Sequence, residues 1–224
     1  GIAITGASYI AETLEPALDN ESPGGCREEL GSKLEDLAGM STIIQDNLRR
    51  AADLVRSFKM IAVDQQVEEP RLIVLHEYLG NIVESLKPKT RTGGHAVSVT
   101  CDDDIRIFTY PGMLSQIITN LIVNSVIHGF DGMRDGDIQI RIEQKGSFVQ
   151  IFYQDNGRGM DDQTREKIFN PFFTTKRGHG GSGLGMNIVY NLLTQKLGGT
   201  IVCRSGPGEG TIFEMQFPTT VRQD

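Results

Sequence analysis

Two amides and an imidazole form a polar stripe on an apolar segment of the chain. Asn120, Asn124 and His128 recur every four residues, so on a helix they lie on one face. An amide oxygen is a suitable ligand for a hard cation, and Mg²⁺ prefers a few protein oxygens together with phosphates and water. Taken alone, the stripe also fits core amides with satisfied partners, or a solvated helix edge.

An aspartate and two glycines follow a predicted apolar strand at residues 148–154. The run begins at Asp155 and continues through Gly157 and Gly159 to Met160. An ionised aspartate accepts hydrogen bonds, for example from an exocyclic amine such as that of adenine. Glycines allow the backbone to approach a flat ring closely. The alternative is an ordinary strand-to-loop turn, because Asp-Asn-Gly is common in turns.

Aromatic residues precede a group of hydroxyls and cations in residues 169–177. Phe172 and its aromatic neighbours would anchor this segment to the core. Thr174, Thr175 and Lys176 would then point outward, and hydroxyls and cations of this kind bind phosphates. The alternative is a hydrophobic plug followed by a solvated basic pair.

A glycine-rich run at residues 178–186 leads into a predicted helix. It contains Gly181, Gly183, Leu184 and Gly185. Glycines before a helix expose successive N–H groups to an anion, and the helix dipole adds to the attraction. The spacing matches neither a P-loop nor a dinucleotide-binding fold. Such a run is also typical of a mobile lid, and the two interpretations are compatible.

Short β-branched segments and helical segments alternate after residue 65 and must position these side chains. Because the strands cluster in pairs, the pattern predicts an α+β sandwich whose mixed sheet is covered by helices on one face. Predicted strands lie at residues 71–75, 96–101, 105–109, 138–143, 148–154, 200–204 and 211–217. Predicted helices lie at residues 76–86, 111–128 and 184–197, the last ended by Gly198 and Gly199.

The first part of the chain has a different periodicity. Between residues 29 and 62, apolar side chains recur at alternating steps of four and three, as in a coiled coil or helical bundle. A weaker version precedes it, and turn-forming residues at 19–25 separate the two. We therefore predict an antiparallel helical hairpin at residues 1–66, which dimerises into a four-helix bundle, and a second domain at residues 67–220.

Composition excludes several classes of protein. The net charge of −7 argues against nucleic acid as a partner, which requires clustered Lys and Arg. No apolar run approaches the roughly 20 residues that span a bilayer. Cys26, Cys101 and Cys203 are scattered and form no C-x-x-C motif, so they indicate reduced thiols in a cytoplasmic protein.

The four motifs are far more specific together than singly. An Asn-x-x-x-Asn helix, Asp-x-Gly-x-Gly, a Phe-Thr-Thr-Lys segment and a Gly-x-Gly-x-Gly run follow one another in this order. The order closely resembles the N, G1, F and G2 boxes of two-component sensor histidine kinases, within the superfamily of gyrase, Hsp90 and MutL-type ATPases. The resemblance covers residues 71–218, and the hairpin resembles the dimerisation and phosphotransfer domain of these kinases.

The resemblance implies a Bergerat ATP-binding fold and assigns roles within it. Asn124 would coordinate the Mg²⁺ that bridges the ATP phosphates, with Asn120 and His128 on the same wall. Asp155 would bind the adenine amino group, supported by Thr211. Around these lie the ring-contacting Gly157, Gly159 and Met160, the lid residues Phe172, Thr174, Thr175 and Lys176, and the phosphate-holding Gly181, Gly183, Leu184 and Gly185.

One residue distinguishes a kinase from an ATPase by this resemblance. ATP-hydrolysing members of the superfamily carry a glutamate that activates water, four residues before the Mg²⁺ asparagine. Here that position is Asn120, and a neutral amide cannot act as the base. We therefore expect Asn120 and Lys176 to serve transfer of the γ-phosphoryl group to a histidine rather than to water.

The phosphoacceptor histidine is not found on the predicted hairpin. In these kinases it lies on the first hairpin helix, whereas the four histidines here are His76, His95, His128 and His179. Residues 1–4 resemble the stretch just after the acceptor motif of the family. We therefore expect the acceptor to lie ahead of Gly1, so that the chain binds ATP without phosphorylating itself.

Two alternatives remain beside a histidine kinase that relays its phosphoryl group to a response regulator. A serine kinase of the anti-sigma-factor type shares the four boxes but generally lacks a long heptad hairpin. A histidine-phosphotransfer scaffold with an inactive nucleotide site generally loses the glycines and the Mg²⁺ asparagine, all of which are present here. Mg²⁺-dependent ATP affinity separates the scaffold from the two kinases.

Overall fold

The computed structural model describes residues 69–101, 104–176 and 183–221, together with residues 37, 39–41, 43 and 44. The chain divides into two units between Val63 and Asp64. The described residues of the first unit are helical, and the rest of the predicted hairpin, with its dimer seam, lies outside the described residues. No helix within the described ranges is both long and apolar enough to cross a membrane.

A mixed five-stranded sheet forms the centre of the second unit. The strands of this unit are β1 (Arg71–Val74), β2 (Ala96–Cys101), β3 (Arg106–Thr109), β4 (Asp137–Lys145), β5 (Phe148–Asp155), β6 (Thr200–Ser205) and β7 (Thr211–Pro218). The sheet order is β2-β4-β5-β7-β6, and β1 pairs with β3 separately. Only β2 and β4 run parallel in the larger sheet. The predicted α+β class with a mixed sheet is confirmed.

Helices cover one face of this sheet. They are α1 (Leu75–Arg91), α2 (Pro111–Asn124), α3 (Asp162–Lys167) and α4 (Gly185–Asn191). Alternating burial along β4 shows the covered face, because Ile138, Ile140 and Ile142 are buried while Gln139 and Arg141 are exposed. Apolar side chains of α1, α2 and α4 complete a single core with this face.

Two of the predicted helices change geometry before they end. The segment predicted as one helix at residues 111–128 is α-helical only to Asn124, and Ser125–Gly129 forms a wider π-helical turn. The Phe130 N–H donates to the Ser125 carbonyl at 2.8 Å, five residues back. A similar π-helical turn, Leu192–Lys196, follows α4. Such turns are rare and occur often at functional sites.

Two further differences concern helix boundaries. Helix α1 extends to Arg91, beyond the predicted end at residue 86, although Pro88 lies inside it. Helix α3 was not predicted, because it is one short segment with no buried residue and hence no apolar periodicity. The Asp161 side chain caps α3 by accepting from the Thr164 N–H at 2.8 Å.

Candidate nucleotide-binding site

A cavity of about 370 Å³ opens between α2, the end of β5, the start of β7 and the first turn of α4. This volume lies in the range of small-molecule sites. Most of the residues predicted from sequence line it: Asn120, Asn124, His128, Asp155, Gly159, Met160, Thr174, Thr175, Gly183, Gly185 and Thr211. Residues that are far apart in the sequence therefore converge on one cleft, as the order of the motifs predicted.

Asp155 is the buried charged group of the cleft, with 3% of its surface exposed. It is the last residue of β5, so the strand carries its side chain to the edge of the sheet. Its Oδ2 accepts from the Ser125 hydroxyl at 2.6 Å, and its Oδ1 accepts from the Gly157 N–H at 3.0 Å. Burial raises the pKa of Asp155, while these bonds and one from the Thr211 backbone lower it.

Ser125 and Tyr153 are site residues that sequence reasoning missed. The Ser125 hydroxyl lies 2.8 Å from the Tyr153 hydroxyl and joins it to Asp155. Both side chains are buried, and burial raises the pKa of Tyr153 well above its usual value. The available signal was weak: two polar residues at positions where the surrounding helix and strand are apolar.

Both asparagines of the polar stripe line the cleft. The Asn120 Nδ2 is buried and has no hydrogen-bond partner among the described residues. A buried amide N–H without a partner is costly, and this one belongs to a residue that lines the cleft, where it can donate to a bound ligand. Gly185 faces the same amide, since a Cβ added there would lie 3.7 Å from the Asn120 Oδ1. Asn124 lines the same cleft.

His128 connects the stripe to the lid segment. Its Nδ1 lies 3.1 Å from the Thr175 hydroxyl. Burial lowers the pKa of His128, and the nearby charges of Lys176 and Arg158 lower it further. The imidazole is therefore neutral at neutral pH and available as a hydrogen-bonding group.

Lys176 does not line the cleft in this structure but pairs with an acidic residue beside it. Its Nζ lies 2.6 Å from the Asp131 Oδ1, and the Arg158 guanidinium lies 3.4 Å from the Asp131 Oδ2. The hydrogen bond from Lys176 lowers the pKa of Asp131. Asp131 and Arg158 were not predicted as site residues, because Asp131 belongs to none of the four motifs and Arg158 occupies a variable position of the Asp-x-Gly-x-Gly motif.

The glycines after Asp155 are needed for packing of the protein itself. A Cβ at Gly157 would lie 2.7 Å from the Gly129 carbonyl oxygen. Gly159 has a φ of 66°, and a Cβ there would collide with the Gly206 carbonyl. The sequence predicted close approach of this backbone to a flat ring. In the structure this backbone lies against other backbone, which fixes the loop below Asp155. Gly159 also lines the cleft, and its contact with a ring stays a prediction.

Three further residues predicted to bind nucleotide lie outside the cleft lining or outside the described residues. Phe172 is 51% exposed with a φ of 65°, and Phe173 lines the cleft in its place. The Phe172 backbone lies 2.5 Å from where a Gly183 Cβ would be, so the Gly183 position requires glycine. Leu184 is buried, so its side chain belongs to the packing before α4. Gly181 lies outside the described residues.

Thr211 supports Asp155 through its backbone rather than its side chain. Its hydroxyl lies 3.4 Å from the Ser205 hydroxyl. Ser205 in turn donates to the Gly210 carbonyl at 2.6 Å and accepts from the Met160 N–H at 2.9 Å. Ser205, which sequence reasoning missed, therefore ties the Met160 loop to the start of β7.

A family comparison identifies the domain that contains this cleft. The model of the histidine kinase-, DNA gyrase B- and HSP90-like ATPases matches residues 109–221. The chain belongs to this family, whose domain binds ATP. Its ATP-binding domain is of the two-component sensor histidine kinase type, as its similarity to sensor kinases shows.

Individual relatives agree with this identification. The sensor histidine kinase ZraS of Klebsiella oxytoca is 36% identical over 119 residues, 53% of this chain and 24% of its own length. The sensor kinase CckA of Brucella abortus is 29% identical over 80% of this chain and 20% of its own length. The chain thus spans about a fifth to a quarter of these relatives.

Solved structures show the same architecture. The catalytic domain of histidine kinase ThkA superposes with a TM-score of 0.60 at 27% identity, covering 68% of this chain and 97% of that domain. A structure of histidine kinase ThkA in complex with response regulator protein TrrA has a TM-score of 0.60 at 20% identity. It covers 97% of this chain and 59% of that chain, and at this identity the likeness concerns the fold.

Proposed function

We propose that the chain is the ATP-binding catalytic part of a sensor histidine kinase, which phosphorylates a histidine and relays the phosphoryl group to a response regulator. The observation that supports this most directly is the buried Asp155 carboxylate at the wall of a cleft lined by Asn120 and Asn124. Burying an ionised carboxylate costs free energy unless hydrogen-bond donors or a cation pair with it. The adenine amino group is a donor of the required kind.

The phosphate side of the cleft favours a kinase over an ATPase. The reaction forms a bond from the γ-phosphorus to a histidine nitrogen and breaks the bond to the β–γ bridging oxygen, with ADP leaving. Asn120 offers no carboxylate to remove a proton from water, so water is a poor competitor. Lys176 would contribute positive charge to the phosphates once it leaves Asp131.

Mg²⁺ fits the groups that the cleft supplies. No cluster of three or more His, Cys, Asp or Glu within the described parts of the chain could hold a metal by itself. Asn124 would provide one amide oxygen, and the remaining positions would be taken by phosphate oxygens and water, the arrangement that Mg²⁺ prefers. Bound there, the ion would neutralise phosphate charge during transfer.

Replacement of Asn124 by alanine tests this metal role. We expect the variant to keep weak binding of ADP without Mg²⁺ and to lose the gain in affinity that Mg²⁺ gives the wild type, about tenfold or more for one lost ligand. Isothermal titration with and without Mg²⁺ measures both. Asn81→Ala, on the surface of α1, is the matched control. An unchanged Mg²⁺ effect in Asn124→Ala would place the ion elsewhere.

The chemistry of the phosphorylated product tests the kinase class. The full-length gene product, incubated with γ-labelled ATP and Mg²⁺, is expected to acquire label that is lost in acid and stable in alkali, as a phosphorus–nitrogen bond requires. A serine kinase of the anti-sigma-factor type would give acid-stable label on its substrate protein. A nucleotide-inactive phosphotransfer scaffold would give no label from ATP, and either result would contradict the proposal.

The partners follow from the same proposal. The heptad pattern at residues 29–62, within the hairpin predicted at residues 1–66, supports a homodimer through a four-helix bundle. A response regulator is the acceptor that the class requires, and a histidine kinase of similar fold has been solved with one. We place the chain in the cytoplasm, because its ATP and its reduced thiols belong there. Analytical sedimentation of the intact chain tests the homodimer. Transfer of the phosphoryl group to a receiver domain tests the response regulator.

A further inference from the structure

Asp155 is held by two buried hydroxyls that lie one behind the other. The Ser125 hydroxyl is 2.6 Å from the Asp155 Oδ2 and 2.8 Å from the Tyr153 hydroxyl. Ser125 is 2% exposed and Tyr153 is fully buried. The π-helical turn that begins at Ser125 directly follows Asn124, so one helix end presents both the amide and this serine to the cleft.

The direction of the hydrogen bonds follows from the chemistry of the groups. An ionised carboxylate only accepts, so the single Ser125 proton is donated to Asp155. The Ser125 oxygen then accepts from the Tyr153 O–H. Two donors are thereby aligned toward the carboxylate, and a chain of this kind strengthens each bond through polarisation. The carboxylate accepts from Ser125, from the Gly157 N–H and from the Thr211 backbone. Because an ionised carboxylate has about four acceptor sites, it retains capacity for one more donor.

We propose that Ser125 and Tyr153 are positioning residues that keep Asp155 ionised and oriented as a hydrogen-bond acceptor, and that they thereby set both the acid limit of nucleotide binding and the preference for adenine. This inference rests on the proposed function of the cleft. Adenine presents an amino donor at the position where guanine presents a carbonyl acceptor. An acceptor-only carboxylate therefore favours adenine, whereas a protonated one also binds guanine.

The other groups around Asp155 do not supply a compensating positive charge. On β5 the titratable neighbour is Tyr153, and on β6 it is Cys203, whose pKa burial raises to about 12. Both are neutral at neutral pH. On the helix end and the loop, His128 and Arg158 interact with Asp131. Burial raises the pKa of Asp155, so the donated hydrogen bonds act against protonation.

The sign of the effect is set by which form the serine stabilises. Ser125 donates to the ionised form, so Ser125→Ala is expected to raise the Asp155 pKa further, by about one unit. Tyr153→Phe removes only the second donor and is expected to give a smaller shift in the same direction. Nucleotide binding needs the ionised form, so its loss on acidification should begin at a higher pH in both variants.

Carboxyl NMR of the nucleotide-free chain measures this directly. The ¹³C resonance of Asp155 is followed from pH 3 to 9 in the wild type, Ser125→Ala and Tyr153→Phe. Tyr78→Phe is the control, because it removes a hydroxyl that donates to the Pro111 carbonyl instead. Upward shifts in the order Ser125→Ala, then Tyr153→Phe, support the inference. Unshifted titration in Ser125→Ala overturns it, and Tyr153→Phe decides if Ser125→Ala fails to fold.

Nucleotide affinity provides the second readout. Below the pKa of Asp155, the ratio of wild-type to Ser125→Ala affinity for ADP is expected to approach about tenfold and to decrease as pH rises. The preference for ADP over GDP should fall in the same range of pH. A wild type that binds no adenine nucleotide at all defeats the proposed function. Normal wild-type binding with a pH-independent loss in Ser125→Ala defeats only the present inference.

Discussion

Replacement of Asp155 by asparagine is expected to weaken adenine nucleotide binding by about a hundredfold or more while the chain remains folded. Both carboxylate oxygens accept protein hydrogen bonds, one from Ser125 and one from the Gly157 N–H. An amide can satisfy only one of these donors with its oxygen. Its NH₂ group then faces either a protein donor or the adenine amino group. A mispaired buried donor of this kind costs about 3 kcal/mol, or roughly a hundredfold in affinity.

Folding stability is expected to respond differently from binding. The pKa of Asp155 is raised by burial, so protonation favours the folded state. The corresponding stabilisation is present at low pH and is lost as pH rises through the folded-state pKa. At neutral pH the wild type therefore carries the cost of a buried charge, which the amide removes. The lost hydrogen bond offsets this gain, and we expect a melting temperature within a few degrees of the wild type.

Titration calorimetry with Mg²⁺–ADP and thermal unfolding at pH 7 measure the two quantities on the same protein. Asp162→Asn is the matched control, because Asp162 forms a surface ion pair with Arg165 and does not line the cleft. Wild-type affinity in Asp155→Asn would show that adenine is not bound by this carboxylate. Gross unfolding of the variant would instead assign Asp155 a structural role.

The pattern of buried and exposed residues made the fold predictable. Strands such as β4 alternate isoleucines with polar residues, and burial follows that alternation residue by residue. Helix α3 was missed because it has six residues, a side-chain cap at Asp161 and no buried residue, and hence no apolar stripe. Short elements of this kind carry little periodic signal.

The cleft was predictable to the extent that its residues occur in specific linear motifs. The asparagine stripe, Asp155 and most of the glycines converge on one cavity, as their order indicated. Contacts between motifs were not predictable, because they depend on tertiary packing. Ser125 contacts Tyr153, which lies 28 residues further along the sequence. Asp131 forms an ion pair with Lys176 of the predicted lid segment. No local sequence pattern records such pairs.

The glycines show why a motif position and its physical role need to be separated. Gly159 has a left-handed backbone, and a side chain there would collide with the Gly206 carbonyl. Gly185 begins helix α4, and an added Cβ would make only ordinary contacts, the closest with the Asn120 Oδ1 at 3.7 Å. Sequence reasoning assigned both glycines to ligand binding, whereas the structure gives only Gly159 a packing requirement.

Alanine substitutions at these two glycines are therefore expected to have opposite effects on stability. Gly185→Ala should stabilise the fold by about 0.5–1 kcal/mol, since alanine is the better helix former. The added methyl group should nevertheless weaken Mg²⁺–ADP binding about tenfold, because it occupies cleft space beside Asn120. Gly159→Ala should lose about 3 kcal/mol, with a melting temperature roughly 10 °C lower, since strain and a backbone collision combine.

Gly80→Ala is the control that separates helix propensity from ligand contact. Gly80 lies on α1 with no atom within 4 Å of an added Cβ, so the variant should gain stability without any change in nucleotide affinity. Thermal unfolding measures the stability of the three variants, and titration calorimetry measures their affinity for Mg²⁺–ADP. If Gly185→Ala binds Mg²⁺–ADP as tightly as Gly80→Ala does, the phosphates do not pass between α4 and Asn120. The glycine at that position would then serve only the entry to the helix.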